Sequence, residues 1–299
     1  MGKLCVALAV FGFVRLFGYA TDRLLSDSEI HQVRGEPARF SRVPDDADHL
    51  KVITWNIERG QAYSSVLAVL RDLDADILLL QEVDRFCRRS GFRDVARDLA
   101  DALEMNWVSG GEFQEIGEAR GGEPAVTGQA ILSRFPIDGA EVVRFTSQDK
   151  WRWSINPVQP RRGGRIALKA MSGGILVYNA HIESGDNDAL KRRQIAEILA
   201  DQGRSVVGQT PVLIGGDFNN GPILRSPMLG SLTAAAFVDA LGEAKERPST
   251  STGGGHPIDW IFIRNLASMG GRVGNALAAS DHSPVIASLQ AHSAFVLNR

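Results

Sequence analysis

The side chains best suited to chemistry in this 299-residue chain follow apolar runs that resemble strands. Gly216-Asp217-Phe218-Asn219 follows the run 211–214, so a carboxylate and an amide two residues apart point to one side of a pleat. Taken alone, Asp and Asn after a strand are ordinary turn residues. Five strand ends in this chain are polar in this way, which predicts that they gather at one sheet edge. The other four are Asn56 and Glu58 after 51–55, Gln81 and Glu82 after 76–80, Asn179 and His181 after 175–178, and Asp281 and His282 after 278–280.

The elements that must position these residues are a mixture of helices and strands. Apolar residues at helical spacing predict helices at 63–73, 93–103 and 188–203. Many strands are adjacent in sequence, which requires antiparallel pairs and disfavours a regular β-α-β barrel. The pattern predicts a mixed α/β fold in which two packed sheets carry helices on their outer faces. The predicted strands are 51–57, 76–82, 129–134, 140–146, 165–170, 174–181, 211–217, 258–264, 269–274 and 284–290.

Composition restricts the classes of function. With 44% hydrophobic residues the chain can bury a substantial core, and we expect one domain because the polar strand ends extend from Asn56 to His282. The formal net charge of −2 gives no general attraction to polyanions, so a nucleic-acid partner requires a local basic patch. Cys5 and Cys87 are too few for a disulfide framework or a zinc cluster. Any metal is therefore expected to have oxygen or imidazole ligands.

The first twenty residues allow two interpretations. Lys3, the apolar run 4–14 and the small residues Gly18 and Ala20 resemble a signal peptide, whereas Arg15 lies where apolar sequence should continue. The run is also too short to span a bilayer. We favour a retained amphipathic helix over a cleaved signal, and a cytoplasmic location over a secreted or membrane-associated one.

Seven short segments follow one another along the chain: TWNIE at 54–58, LQEV at 80–83, GQAILSRFPI at 128–137, NAH at 179–181, GDFN at 216–219, IDWI at 258–261 and SDH at 280–282. Taken in order, they resemble the motif set of the endonuclease/exonuclease/phosphatase superfamily, which includes pancreatic-type deoxyribonucleases, abasic-site endonucleases, neutral sphingomyelinases and inositol-polyphosphate 5-phosphatases. The resemblance implies a four-layer α-β-β-α sandwich of two mainly antiparallel or mixed sheets. It also implies hydrolysis of a phosphoester with Mg²⁺, or with Mn²⁺ as an alternative ion. We expect a lead segment over 1–48, a catalytic domain over 49–292 and a tail over 293–299.

Glu82 is the first candidate for a metal ligand. Phosphoester hydrolysis needs a cation on the phosphate oxygens, a positioned water and donors for the charge that develops. One or two carboxylates are enough to hold Mg²⁺. A carboxylate after an uninterrupted apolar run is costly to bury unless a cation neutralises it, and Glu82 has this position. Asn56 and Glu58 are assigned to the metal's outer shell or to a contact with the phosphate, and Asp281 to the metal or to a place beside His282.

The resemblance assigns the catalytic steps to five other residues. Asp217, as general base, and Asn219 orient the attacking water and a phosphate oxygen. His282 contacts the phosphate, and Asp259 fixes its tautomer or keeps it protonated. His181 donates to another phosphate oxygen or assists the leaving group. These assignments predict a site in which two imidazoles and two carboxylates lie together.

The substrate is indicated mainly by the basic stretch 150–169, which contains no acidic residue. Basic residues interleaved with tryptophan suit the stacking of bases and the binding of backbone phosphates. They also suit a lipid headgroup layer, and tryptophans in such a loop are as often packing residues. Gln129 stands where relatives more often carry Asn, and Ser283-Pro284 where several carry an aromatic residue. The predicted substrate-binding residues are Arg165, Gln129, Trp151 and Trp153.

Three hypotheses remain at this point. The leading one is a monomeric metal-dependent hydrolase of phosphodiesters or phosphomonoesters, with nucleic acid favoured over a phospholipid or small phosphoester and with peripheral membrane contact as an alternative. The second is a noncatalytic phosphate-binding module, which we would expect to have lost Glu82, Asp217 or His282; all three are present. The third is a secreted or membrane-attached effector whose mature N-terminus begins near Thr21.

Overall fold

The computed structural model describes residues 22–40, 49–120, 122–149, 160–185, 187–220, 227–242, 248–252, 255–276 and 278–290. Trp151 and Trp153 lie outside these residues, as do the apolar N-terminal run and the C-terminal tail. The described strands are β1 (Val33–Glu36), β2 (His49–Arg59), β3 (Ile77–Arg85), β4 (Asn106–Glu115), β5 (Val126–Ser133), β6 (Ile137–Arg144), β7 (Arg161–Gly163), β8 (Ile166–Ser172), β9 (Ile175–His181), β10 (Val212–Asp217), β11 (Val238–Asp239), β12 (Asp259–Arg264), β13 (Ala267–Val273) and β14 (Val285–Gln290).

The strands form two mixed sheets. The larger sheet has the order β1-β4-β5-β3-β2-β14-β13, with β7 added beside β4. The smaller sheet has the order β11-β12-β10-β9-β8-β6. Two pairs, β2 with β3 and β9 with β10, are parallel, and the other described pairs are antiparallel. This arrangement confirms the predicted mixed α/β class.

Helices cover the outer face of each sheet. Val66 of α2 and Leu99 of α3 pack against the larger sheet, and Ile198 of α4 and Leu232 of α5 pack against the smaller one. A third cluster lies between the sheets, so the layers follow the predicted α-β-β-α order. No described helix is long and apolar enough to cross a membrane. The helices are α1 (Asp27–Ile30), α2 (Tyr63–Leu73), α3 (Val95–Leu103), α4 (Asp188–Ser205) and α5 (Pro227–Ala234), with a 3-10 helix at Arg88–Ser90.

The apolar run of β3 is continuous because both of its faces are buried. Leu78 and Leu80 point to the helices α2 and α3, whereas Ile77 and Leu79 point to the other sheet. Successive side chains of a strand alternate between faces, so a strand inside a sandwich needs apolar residues at every position. The first polar residues after such a run therefore stand at the rim of the sandwich.

Four strands are absent from the sequence prediction, and β4 is the one that matters for function. Gly110 and Gly111 interrupt its apolar pattern in the middle. A side chain at Gly111 would lie 2.2 Å from the carbonyl oxygen of Ile30, so glycine is needed where α1 crosses the strand. Residues 22–40, which the sequence analysis includes in the lead segment, thus pack on the edge of the larger sheet, where β1 pairs with β4.

Two buried amides join the sheets just below the polar strand ends. Gln81 donates through Nε2 to Oδ1 of Asn179 at 2.6 Å. Asn179 in turn donates through Nδ2 to the carbonyl oxygens of Leu80 and Ala130, at 2.8 and 2.9 Å. Buried amides are tolerated when they are hydrogen-bonded, and these bonds fix the two sheets relative to each other. The residues that follow Gln81 and Asn179 are thereby brought to one rim.

Candidate active site

Asp217, the last residue of β10, is the centre of the polar cluster at this rim. Its Oδ2 lies 3.2 Å from Nδ2 of Asn56, 3.4 Å from Nε2 of His181 and 3.9 Å from Nε2 of His282. The backbone N–H of Asn219 donates to its Oδ1 at 2.9 Å. The side chain is 2% exposed, so the carboxylate is held by protein donors. The structure thus brings together residues from four of the polar strand ends.

Local contacts explain the residue types in the Gly-Asp-Phe-Asn motif. Gly216 has a φ of 149°, and a Cβ there would lie 1.8 Å from the carbonyl oxygen of Ala180, so only glycine lets β10 approach β9. Phe218 is buried in the outer core and anchors the turn. Asn219 has a φ of 47° and donates through its side chain to the carbonyl of Ile182 at 3.1 Å. Asp217 is therefore held rigidly at the rim.

His282 and Asp259 form a buried pair beside Asp217. Nδ1 of His282 lies 2.9 Å from Oδ2 of Asp259, which is fully buried. Burial alone would lower the pKa of His282, but the Asp259 carboxylate raises it from 6.5 to about 10. The charges of Asp217 and Asp281 act in the same direction. The ring is thus an imidazolium near neutral pH, and its Nε2 is the donor that faces the cluster.

Replacing Asp259 with Asn should lower the pKa of His282 from about 10 toward its ordinary value of 6.5, because the paired negative charge is lost. In the wild type, the stability that this imidazolium contributes is lost as the pH rises from about 6.5 toward about 10. Burial raises the pKa of Asp259 to about 6, so the attraction within the pair also weakens below that pH. Histidine side-chain NMR in the presence of a chelator measures the pKa directly. Asp138→Asn, at an exposed position, is the control. A pKa that stays near 10 in Asp259→Asn would contradict the pairing.

The second imidazole, His181, is held by a buried ion network. Arg165 donates through Nη1 to Nδ1 of His181 at 2.9 Å and to Oε2 of Glu112 at 3.3 Å. Accepting from Arg165 at Nδ1 leaves the proton of a neutral ring on Nε2, which faces Asp217. Although burial opposes ionisation, the charge of Arg165 and the hydrogen bond from Gln129 hold the pKa of Glu112 below its ordinary value. Glu112 belongs to β4, so it is absent from the sequence-predicted site residues.

Two residues predicted to bind substrate lie behind this network. Gln129 is fully buried and donates through Nε2 to Oε1 of Glu112 at 3.0 Å and to the carbonyl of Ile166 at 2.8 Å. Arg165 is only 6% exposed. In the structure both side chains therefore orient Glu112 or His181 from below.

Glu82 lies at a bulge where β3 meets the rim. Gln81 pairs with Gln129 and Val83 with Gly128, so Glu82 is the extra residue, with a φ of 51°. A bulge turns its side chain away from the regular alternation. The Glu82 side chain is 24% exposed, and its Oε2 lies 3.4 Å from Nε of Arg59. Glu82 is thus open to solvent beside a cation.

The charge state of Glu82 fits a cation ligand. Burial would raise its pKa, but the charges of Arg59 and Arg165 hold it at about 2. A hydrogen bond from Asn56 acts in the same direction. An ionised and partly accessible carboxylate beside an amide is the kind of oxygen donor set that Mg²⁺ accepts.

A sequence model of the endonuclease/exonuclease/phosphatase family matches residues 53–282, which contain the whole polar cluster. The chain belongs to this family. Members of the endonuclease/exonuclease/phosphatase family are phosphoester hydrolases, so the activity class is that of a phosphoester hydrolase. No curated protein matches the chain.

Solved structures with the endonuclease/exonuclease/phosphatase fold superpose on most of the chain. An endonuclease/exonuclease/phosphatase from Beutenbergia cavernae is 20% identical, with a TM-score of 0.60 over 81% of this chain and 72% of that one. The human nocturnin catalytic domain with bound sulfate is 18% identical, with a TM-score of 0.59 over 83% and 95%. ANGEL2, a 2′,3′-cyclic phosphatase, is 16% identical, with a TM-score of 0.59 over 82% and 95%. At these identities the likeness shows the shared fold.

Glu58 and Asp281, which were predicted to complete the metal shell, lie at the margin of the polar cluster. Glu58 is half-buried with a φ of 46°, and its backbone N–H donates to Oδ1 of Asn56 at 3.1 Å. Asp281 is exposed and lies 3.5 Å from the hydroxyl of Ser280. No hydrogen bond or ion pair among the described residues joins either carboxylate to Glu82. Their assignment to the outer shell stays a prediction.

A second set of potential ligands is formed by Asp217, Asp259 and His282. Their ligand atoms all lie within 4.8 Å of one another, so the geometry admits an ion. An imidazole binds a metal only when its nitrogen carries no proton, whereas the raised pKa of His282 favours the imidazolium. This set is therefore better suited to holding protons and phosphate oxygens than to holding a cation.

Proposed function

We propose that this hydrolase cleaves a phosphodiester or phosphomonoester by metal-assisted attack of water, with Mg²⁺ as the cation and Mn²⁺ as a substitute. The observation that supports this most is the position of Asp217, within 4 Å of both imidazoles and hydrogen-bonded to Asn56. A carboxylate between two donor rings, next to the ionised Glu82, provides the groups that phosphoester hydrolysis needs. We assign the catalytic domain to 49–292.

Glu82 and Asn56 would hold the metal, with Glu58 and Asp281 completing its outer shell. When bound, the cation withdraws charge from the phosphate oxygens and acidifies water. The oxygen donors of Glu82 and Asn56 suit Mg²⁺, which keeps several of its own waters. Arg59, 3.4 Å from Glu82, offsets part of the negative charge of that carboxylate.

Asp217 serves as the general base that takes the proton of the attacking water. The amide of Asn56 and the backbone of Asn219 keep its carboxylate oriented. His282 donates from Nε2 to a phosphate oxygen, because its Nδ1 is engaged by Asp259. His181 donates from Nε2 to another phosphate oxygen or to the leaving group. Both rings are fixed by buried partners, so the donors are in place before the substrate binds.

Nucleic acid is the favoured substrate, with a phospholipid or small phosphoester as the alternative. The stretch 150–169 interleaves basic residues with Trp151 and Trp153 in the sequence, a composition that suits a backbone of phosphates and bases. Structurally similar proteins are consistent with phosphate chemistry, since nocturnin was solved with a sulfate anion and ANGEL2 is a 2′,3′-cyclic phosphatase. We expect the enzyme to act as a monomer.

A metal-supplemented activity screen tests the proposal. Purified protein is incubated with Mg²⁺, Mn²⁺ or a chelator and with single-stranded DNA, RNA, sphingomyelin, phosphoinositides and small phosphomonoesters. We expect turnover of at least one substrate that requires the cation and that falls by at least about a hundredfold in Asp217→Asn. Binding of phosphate ligands without turnover of any member would refute the proposal and support a noncatalytic module.

A further inference from the structure

The segment that carries His282 lies outside the regular strands of the sandwich. It connects β13, which ends at Val273, to β14, which begins at Val285. Asp217 is fixed by hydrogen-bonded pairing of its strand with β9 on one side and β12 on the other. His282 makes an isolated β-bridge with Ser251 instead. The position of its imidazole therefore depends on contacts other than a regular strand ladder.

Side chains hold both polar groups of the His282 backbone. Its N–H donates to Oγ of Ser280 at 3.0 Å. Its carbonyl oxygen accepts a buried hydrogen bond of 2.7 Å from Nε1 of Trp55. Asp259 holds the ring itself through Nδ1. The backbone and the ring of His282 are thus fixed by three different side chains.

Trp55 belongs to the same strand end as Asn56, one residue before it in β2. Successive side chains of a strand point to opposite faces, so Asn56 reaches Asp217 between the sheets, whereas Trp55 enters the core under the helices. The carbonyl oxygen of Asn56 also accepts from Oγ of Ser280 at 2.7 Å. The end of β2 therefore joins the segment of His282 to the carboxylate of Asp217.

Trp107 shows that packing in this core does not require a partner for the indole N–H. It lies in the same hydrophobic cluster as Trp55 and is 6% exposed, against 0% for Trp55. Its buried Nε1 has no hydrogen-bond partner among the described residues. Both indoles fill the core, but only that of Trp55 donates to the backbone of a predicted catalytic residue.

We propose that Trp55 is a positioning residue that holds His282 where its Nε2 meets the phosphate. This inference rests on the proposed function, in which His282 donates to a phosphate oxygen. Without the indole N–H, the carbonyl of His282 is buried without a donor, which favours a shift of the segment toward water. A displacement of about 1 Å costs up to about a hundredfold in rate. The remaining bonds to Ser280 and Asp259 limit the shift, so we expect a loss of about tenfold.

Trp55→Phe removes the donor and keeps an aromatic ring, and Trp107→Phe is the matched control. Each replacement is made in the wild type and in His282→Gln, and kcat/KM is measured with Mg²⁺ on bis-p-nitrophenyl phosphate and p-nitrophenyl phosphate. We expect Trp55→Phe to lower kcat/KM about tenfold in the wild type. In His282→Gln, itself slower by about a hundredfold, the same replacement should cost less than about twofold, because the imidazole that it displaces is absent. Trp107→Phe should cost less than about twofold in both backgrounds.

Benzothienylalanine at position 55 separates the hydrogen bond from the packing. Its ring has nearly the shape of indole with sulfur in place of the N–H, so it also supplies the test if thermal unfolding shows that Trp55→Phe does not fold. We expect it to reproduce the tenfold loss. An undiminished kcat/KM in a folded variant at position 55, or an equal loss in His282→Gln, overturns the positioning role but leaves the hydrolase intact. Failure to cleave either ester or any substrate of the activity screen defeats the proposed function, and the role of Trp55 with it.

Discussion

Replacing Asp217 with Asn should lower kcat for phosphoester hydrolysis by about 10²–10⁴-fold, the usual contribution of a general base. The amide has nearly the same shape, and its oxygen can still accept from the backbone N–H of Asn219, but its NH2 group cannot accept the hydrogen bond that Asn56 donates to the carboxylate. It cannot take a proton from water, and it no longer presents a negative charge to His181 and His282, which lie 3.4 and 3.9 Å away. The loss should therefore appear in kcat more than in KM.

The control for this variant is Asp138→Asn, which makes the same chemical change at an exposed position of β6. Steady-state kinetics with saturating Mg²⁺ gives the comparison, and thermal unfolding shows whether both proteins are folded. The charge of Asp217 helps to raise the pKa of His282, so this pKa should also fall in Asp217→Asn. A folded variant that keeps more than about a third of the wild-type kcat would exclude Asp217 as the base.

The site residues that could be predicted from the sequence are those that directly follow a strand. Asn56, Glu82, His181 and Asp217 each follow an apolar run, and such a run must end at the rim of a sandwich whose strands are buried on both faces. Their residue types then indicate oxygen and imidazole chemistry. The three predicted helices are confirmed for the same reason, since α2, α3 and α4 carry their apolar residues at a regular spacing.

Glu112 could not be predicted in this way. Gly110 and Gly111 interrupt the apolar pattern of its strand, β4, because a Cβ at Gly110 would lie 2.6 Å from Val142 in the other sheet and one at Gly111 would lie 2.2 Å from the carbonyl oxygen of Ile30 in α1. This requirement comes from tertiary packing and leaves no local periodicity in the sequence. The partner that holds His181 is therefore visible only in the structure.

Residue type also does not reveal which way a side chain points. Gln129 and Arg165 are of the types that bind phosphates, but the fold turns both beneath the rim, where they hold Glu112 and His181. The pairing of Arg59 with Glu82 likewise depends on two bulges, at Asn56/Arg59 and at Gln81/Val83. Bulges change the face to which a residue belongs, so alternation along the strand gives the wrong direction there.

The second large effect is expected from Glu82→Gln, which should weaken Mg²⁺ and Mn²⁺ binding by at least about a hundredfold. Even outer-shell partners of a metal cost about 10- to 100-fold in affinity when lost, and Glu82 is the proposed direct ligand. Glu82 has a pKa of about 2, so the wild-type ligand is charged throughout the physiological range, whereas the amide is neutral. Calorimetric titration with Mn²⁺ measures this affinity independently of turnover, and kcat at a fixed Mg²⁺ concentration should fall in parallel.

Glu104→Gln provides a control with matched chemistry and backbone. Glu104 is the C-cap residue that follows α3, with a φ of 53°, close to the 51° of Glu82, and its side chain is exposed. The same replacement there should leave Mn²⁺ affinity at the wild-type value. A loss of affinity confined to Glu82→Gln then arises because a metal ligand is removed, and not because glutamine occupies a left-handed backbone position. Unchanged Mn²⁺ affinity in Glu82→Gln would instead place the cation on Asp217, Asp259 and His282, whose ligand atoms lie within 4.8 Å of one another. His282 would then have to bind as a neutral imidazole, and its pKa would fall far below about 10 on addition of metal.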